Sequence, residues 1–297
     1  MDSRTFLTTM LQGSLAAALL PHSISSLLVT QSGPPSHFGE TCQHKIRLSA
    51  IGIGTFGTYC TQLLAYSVPH ISCHELRIDY QQYNLPDLSG LVNAIQHSDL
   101  LFLLADVSQT WCSSVLSACV DAAAEAGVQV VILGPNPPAY FQYSVCRPSS
   151  SPSCYCAADP LIARNLIAMV SDLVNTTTFF VGVDLADVKA SLHSILRSGS
   201  NGIFINSEAS GANRGMLASK KVLAQLEQQM TGSHNYRGAM ACIYCNSDTY
   251  LKDFDQAIIE LFRFFLPPSS SEFNIIYNCV FDNSLHDSVR LAVMAIT

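Results

Sequence analysis

An α/β fold is predicted for this chain: a parallel sheet of the nucleotide-binding type, a central connecting helix, and a second domain with a mixed sheet. Three observations predict it. From Lys45 onward, apolar runs of strand length alternate with segments of helical period. A G-x-G-x-x-G, Gly52-Ile-Gly-Thr-Phe-Gly57, stands between the first strand-like run and the first helical one. The last two apolar runs are joined by only Asp282-Asn-Ser-Leu-His-Asp287, a short link that suggests a mixed sheet.

The elements follow in order. Ile46 to Gly52 reads as a buried strand and Thr55 to Tyr66 as the helix after a glycine turn. Glu75 to Asp79 is a second strand, Leu88 to Gln96 a helix, and Asp99 to Leu104 a strand. Ser113 to Ala126 is helical and closes with Gly127, suited to a left-handed cap; Val128 to Leu133 is the next strand. Gly134 to Cys156, rich in Pro, Ser and Tyr, reads as a loop. Pro160 opens the connecting helix, which runs to about Val174. Asp187–Leu196 (helix), Gly202–Asn206 (strand), Met216–Met230 (helix), Ala239–Cys245 (strand), Asp253–Phe265 (helix), Phe273–Phe281 (strand) and Val289–Ile296 (strand) complete the chain. The expected divisions are 1–44, 45–158, 159–182 and 183–297.

Composition narrows the function. The chain has 297 residues, of which 48% are hydrophobic and 12% charged, far from the balance of a disordered chain. Net charge is −7 with 15 Lys+Arg and no basic run, which argues against nucleic acid as a partner. The 11 cysteines are scattered and odd in number, as expected of small buried thiols in a reducing compartment. The cytoplasm is the expected location.

The first 45 residues differ from the rest. Phe6, Leu7, Met10, Leu11, Leu15, Ala18 and Leu19 recur at helical spacing until Pro21. Three readings stand: a helix across residues 6–20 lying on a membrane surface, a degenerate export signal at Arg4-Thr-Phe-Leu7, and a tail without fixed structure, which is the default. No run reaches the length of a membrane span.

Four motifs carry potential chemistry. Gly52, Gly54 and Gly57 would let backbone approach a phosphate at a helix N-terminus, or simply allow a tight turn. Asp79, 22 residues past Gly57, is the acidic partner of a dinucleotide reading. Cys242-Ile-Tyr-Cys245 has metal-like spacing, but in a strand its two thiols face opposite ways, so core packing is expected. Asp184 and Asp187 sit three apart at a helix start, where capping and the dipole favour Asp anyway. No metal-ligand cluster and no nucleophile elbow is present in the sequence.

Taken in order, these pieces resemble FtsZ, the bacterial tubulin relative. From Asp172 onward, "VGVDLADVKASLHSI" is similar to the end of that family's central helix and its synergy loop, "SEASGANRGMLASKKVL" to its small-residue and arginine segment, and "SEFNIIYNCVFDNSLHDSVRLAVMAIT" to its final strands. "RLSAIGIGTFGTYCTQLL" resembles the first glycine loop, and Ile78-Asp-Tyr-Gln81 the second nucleotide loop. The family's glycine-threonine phosphate loop falls on Ser108-Gln-Thr-Trp-Cys-Ser-Ser114, which contains no glycine. Asp159 lies near the base-contacting position but out of register.

The resemblance implies an FtsZ/tubulin-like fold and a role in filament assembly in cell division. Gly52, Gly54, Gly57 and Asp79 would be what remains of a GTP site, holding GTP weakly or not at all. Asp184 and Asp187 would be the carboxylates that act in trans on a neighbouring subunit's GTP, although Gly182 replaces the family's leading asparagine. The implied partner is an FtsZ-type subunit or a second copy. The implied activity is that of a pseudo-GTPase, with a weak self-assembling GTPase or a membrane-associated scaffold as alternatives. The family's adaptor-binding carboxyl tail has no counterpart before Thr297.

Overall fold

Strands whose residues are apolar on both faces need helices on both sides, and β1 (Leu48–Ile53), β3 (Leu100–Ala105) and β4 (Gln129–Gly134) are buried along their whole length. The computed structural model describes residues 46–76, 89–108, 110–135, 153–175, 183, 185–196, 201–229, 236, 238–246, 251–265 and 274–296. β2 (Ile71–Leu76), β5 (Ser153–Ala157), β6 (Asn201–Ser210), β7 (Gly238–Cys245), β8 (Asn274–Phe281) and β9 (Ser288–Ile296) join these in one nine-stranded sheet. The order is β2-β1-β3-β4-β5-β6-β9-β7-β8. The first six run parallel, β9 is antiparallel to both neighbours, and β7 and β8 are parallel to each other. The mixed sheet therefore forms as expected.

Among the described residues there are seven helices: α1 (Gly54–Ser67), α2 (Ser89–Gln96), α3 (Thr110–Glu125), α4 (Pro160–Asn175), α5 (Leu185–Leu196), α6 (Arg214–Gln229) and α7 (Leu251–Phe265). One core cluster runs under the whole sheet: Leu64 of α1, Leu166, Ile167 and Leu173 of α4 and Val188 of α5 pack with Phe102, Leu133, Phe204, Met240 and Met294. The opposite face divides. Leu91 and Ile95 of α2 and Leu116 of α3 cover Ile51, Leu103 and Ile132, while Val222 and Leu226 of α6 and Leu261 and Phe265 of α7 cover Ile205, Ile243 and Leu291. The continuous layer places residues 45–297 in one compact unit.

α4 starts where the sequence puts it. Asp159 Oδ1 accepts from the Ile162 backbone N–H at 2.8 Å and Pro160 fills the first helical position.

Three expectations change. The segment read as a loop up to Cys156 contains β5, too short and too polar for a strand signal, yet paired to β4 through five residues. The strand expected over Gly202–Asn206 runs from Asn201 to Ser210 as β6, with Glu208 exposed and Ala209 buried against the helices, the alternation of a one-sided strand. The second strand begins at Ile71 and ends at Leu76, four residues ahead of the expected start. The last two strands also lie on either side of β7. Their link crosses the end of β7, where the Asp282 backbone N–H donates to the Cys245 carbonyl at 2.8 Å.

Candidate functional site

The glycine turn is built for close packing. At Gly52 a Cβ would run into the Gly57 carbonyl, and at Gly57 into the Leu104 carbonyl and the Gly52 backbone, so α1 is drawn directly onto β1 and β3. Gly54, the first residue of α1, has φ of 69°. Directly above it stands Trp111, the second residue of α3: its indole Cη2 would lie 2.8 Å from a Cβ on Gly54. The indole spans the β1–α1 and β3–α3 turns and packs on the core beneath α2 and α3. The loop before α3 is fastened by an Asx turn, in which the Ser108 backbone N–H and hydroxyl both donate to Asp106 Oδ1, at 3.0 and 2.7 Å.

Asp79 lies outside the described residues. The acidic residue placed beside the glycine turn is Glu75, in register with Gly52 and accepting from the Thr61 hydroxyl at 3.4 Å. It stands 18 residues past Gly57, so the expected spacing would have found it had the strand been started at Ile71.

Asp184 also lies outside the described residues, whereas Asp187 is half-buried in the first turn of α5. That turn stands at the other pole of the sheet. Gln129, the first residue of β4, donates to the Lys189 carbonyl at 3.4 Å. Lys189 also acts on Asp99, just ahead of β3. Burial works against the Asp99 charge, but two-pronged contact with Arg47, at 3.3 Å from both guanidinium nitrogens, and the Lys189 charge hold its carboxyl below the usual range. Gly54 and Trp111 follow the carboxyl ends of β1 and β3. The structure thus separates the glycines from Asp187 by the length of the strands, about 20 Å for six residues.

Two polar clusters escaped the sequence reading. At the end of α4, the Tyr244 hydroxyl donates to Asp172 Oδ2 at 2.9 Å, the Arg290 guanidinium lies 4.3 Å from the Tyr244 ring centre, and Arg290 pairs with Asp282 at 2.9 Å. Burial raises the Asp172 carboxyl pKa despite the Tyr244 hydrogen bond and the nearby Arg290. Near α6, the buried Arg214 reaches Asp253 of α7 at 3.1 Å and Asp287 of the β8–β9 link at 2.5 Å. The arginine segment is therefore a tie between elements. A polar residue inside an apolar helix, Asp172, was the available signal for the first cluster. The second had none, because its members are 39 and 73 residues apart.

Cys242 and Cys245 face opposite sides of β7, Cys242 toward α4 and Cys245 toward α6 and α7. Among the described residues, no group of three or more His, Cys, Asp or Glu side chains is placed to hold a metal ion, and no helix is long and apolar enough to cross a membrane.

No family model matches the sequence, and no curated protein matches it. Solved structures do. An FtsZ W319Y mutant from M. jannaschii superposes with a TM-score of 0.67 at 15% identity, covering 86% of this chain and 92% of its own. An empty FtsZ dimer from the same organism gives 0.63 at 14% identity, over 86% and 89%. CetZ2 from Haloferax volcanii, in a GTPγS-bound protofilament, gives 0.56 at 14% identity, over 84% and 92%. At such identity the likeness speaks for architecture, and the architecture of this chain is the FtsZ/tubulin-like fold.

Proposed function

We propose that this protein is a pseudo-GTPase of the FtsZ/tubulin-like fold that acts in filament assembly. It docks the pole carrying Asp187, with Asp184 three residues earlier in the sequence, onto the nucleotide-bearing end of an FtsZ-type subunit and offers the next subunit no nucleotide in return. A head-to-tail contact that cannot propagate caps a filament. The observation that carries this reading is the Trp111 indole lying on Gly54. A phosphate cradle needs backbone N–H groups facing open space, and here the first glycine turn faces an aromatic ring. The opposite placement of Asp187 supports the second half of the reading, because a docking pole remote from Trp111 can keep its carboxylates while the other pole is closed.

A second reading, assembly with copies of itself, is favoured by two of the similar structures being a dimer and a protofilament. A thermal melt with and without GTP and Mg²⁺ tests the pseudo-GTPase reading: no nucleotide-dependent rise is expected, and a saturable rise overturns it. Sedimentation of an FtsZ filament with substoichiometric protein tests the capping. Shorter filaments are expected, and unchanged length and GTP turnover at equimolar ratio count against it. Sedimentation of the protein alone, growing with concentration, marks the second reading instead.

A further inference from the structure

Cys245 ends β7 and Cys279 lies near the end of β8, on the face covered by α6 and α7. Their sulfurs are 3.2 Å apart. We propose that these two thiols are a redox pair that closes to a disulfide between β7 and the edge strand β8, with a small-molecule disulfide as the oxidant. The chemistry suits the site. A disulfide is uncharged and suits the apolar surroundings of Ile243, Leu261 and Phe265. The contact with Cys245, together with burial, keeps Cys279 protonated in the closed fold. Reaction therefore proceeds when the strand end opens.

One thiolate attacks the external disulfide, forming a mixed disulfide and releasing one small thiol. The second thiolate attacks the protein sulfur of that mixed disulfide and expels the other small thiol. The two protein protons end on the two released thiols, the cysteines are oxidised, and the external disulfide is reduced.

The register sets the consequence. Cys279 pairs with Ile243 and Cys245 with Phe281, so the thiols are diagonal neighbours. In a parallel pair a two-residue offset at about 3.3 Å per residue and a strand spacing of about 4.8 Å put the diagonal Cα atoms roughly 8 Å apart, beyond the ~4.4–6.8 Å a disulfide spans. Closure therefore requires β8 to slide by about 2 Å. Among the described residues β8 has a partner on one side only, which leaves it able to do so. Three residues on, the chain enters the β8–β9 link, which holds Asp282 against Arg290 and Asp287 against Arg214. Oxidation thus pulls on both ties.

The test equilibrates the full chain in glutathione buffers of graded oxidised-to-reduced ratio, quenches with acid, alkylates and digests. Mass spectrometry should find the Cys245 and Cys279 peptides joined and lighter by two hydrogens, with alkylation lost at both, and no such species in Cys245→Ser or Cys279→Ala. A second sample is refolded in the most oxidising buffer, where burial does not bar the reagent. Both thiols remaining alkylatable in that sample overturns the proposal. So does a glutathione adduct that persists on either cysteine, or a bond from either to a different cysteine.

Discussion

Gly57→Ala separates two physical roles for the glycine motif, because they predict opposite signs. Gly57 is the fourth residue of α1, and if its lack of a side chain served only to admit a phosphate, alanine would stabilise the empty protein by about 1 kcal/mol through helix propensity. The geometry opposes that gain. An added Cβ meets the Leu104 carbonyl and the Gly52 backbone, all of it main chain within the central sheet, which has no rotamer to change. Overpacking of this kind costs about 1–3 kcal/mol or more, and the rigidity of backbone neighbours puts this site at the upper end. The clash outweighs the propensity, for a net loss of about 1–2 kcal/mol, or roughly 2–8 °C in Tm at this size. Gly90→Ala is the internal control: Gly90 is exposed in α2, with nothing within 4 Å of an added Cβ. It should gain roughly 0.4–1 kcal/mol. The assay is a melt of nucleotide-free protein for wild type and both variants. If Gly57→Ala melts at or above wild type, the close-packing account of the motif is wrong.

Other outcomes follow from the same contacts. Tyr244→Phe removes a donor to buried Asp172 and should cost about 1–3 kcal/mol. Because the raised Asp172 pKa means the fold favours its neutral form, its contribution is full at acid pH and lost as pH rises; the hydroxyl supports the charged form, so the Tm gap between variant and wild type should widen from pH 5 to pH 7.5. Arg214→Leu leaves the nearly buried Asp253 unpaired and should cost about 3–5 kcal/mol, whereas Asp287→Asn, at the exposed partner, should cost about 1 kcal/mol or less by the same melt. Trp111 is the one tryptophan of the chain, so its emission reports on the β3–α3 turn. No saturable change is expected on adding GTP and Mg²⁺, and a saturable change refutes the closed-turn reading.

What could be read from the sequence follows from how each element is stabilised. β1, β3 and β4 are buried on both faces and show as nearly continuous apolar runs, with Ser49 and Gln129 as the polar members. α4 carries its own start signal in Asp159-Pro160. β5 was illegible because its pairing partners, not its composition, make it a strand; Ser-Cys-Tyr-Cys-Ala between proline- and serine-rich stretches has no periodicity to detect. β2 starts ahead of its expected place because Ile71-Ser-Cys-His is a half-exposed edge segment with weak alternation, so the sequence offers Asp79 rather than Glu75 as the acidic residue. For the site, the lack of glycine from Ser108 to Ser114 is plain in the sequence, but the place taken by the Trp111 ring is a tertiary fact.

The interposed β7 explains why the closing strands tolerate so polar a link. A hairpin would need only a tight turn, but Asp282 to Asp287 must cross one strand, about 10 Å at the usual spacing, and arrive in register with β9. The link is held at several points rather than by one turn. Ser284 donates to Asp282 through both its backbone N–H and its hydroxyl, at 3.0 and 2.6 Å, the Leu285 side chain is buried, and Arg290 and Arg214 take the acids at its two ends. Burial disfavours the Asp282 charge, yet these Ser284 hydrogen bonds and Arg290 outweigh it and hold the carboxyl below its usual range. That sign makes the link acid-sensitive, with its contribution present above the unfolded pKa of aspartate and lost as pH falls through the lower folded value. Asp172 has the opposite dependence, and Asp282→Asn should destabilise more at pH 7 than at pH 4 because the lowered Asp282 pKa is the one it removes. A melt showing an equal loss at both values would mean that the Arg290 pair does not hold the crossing in place.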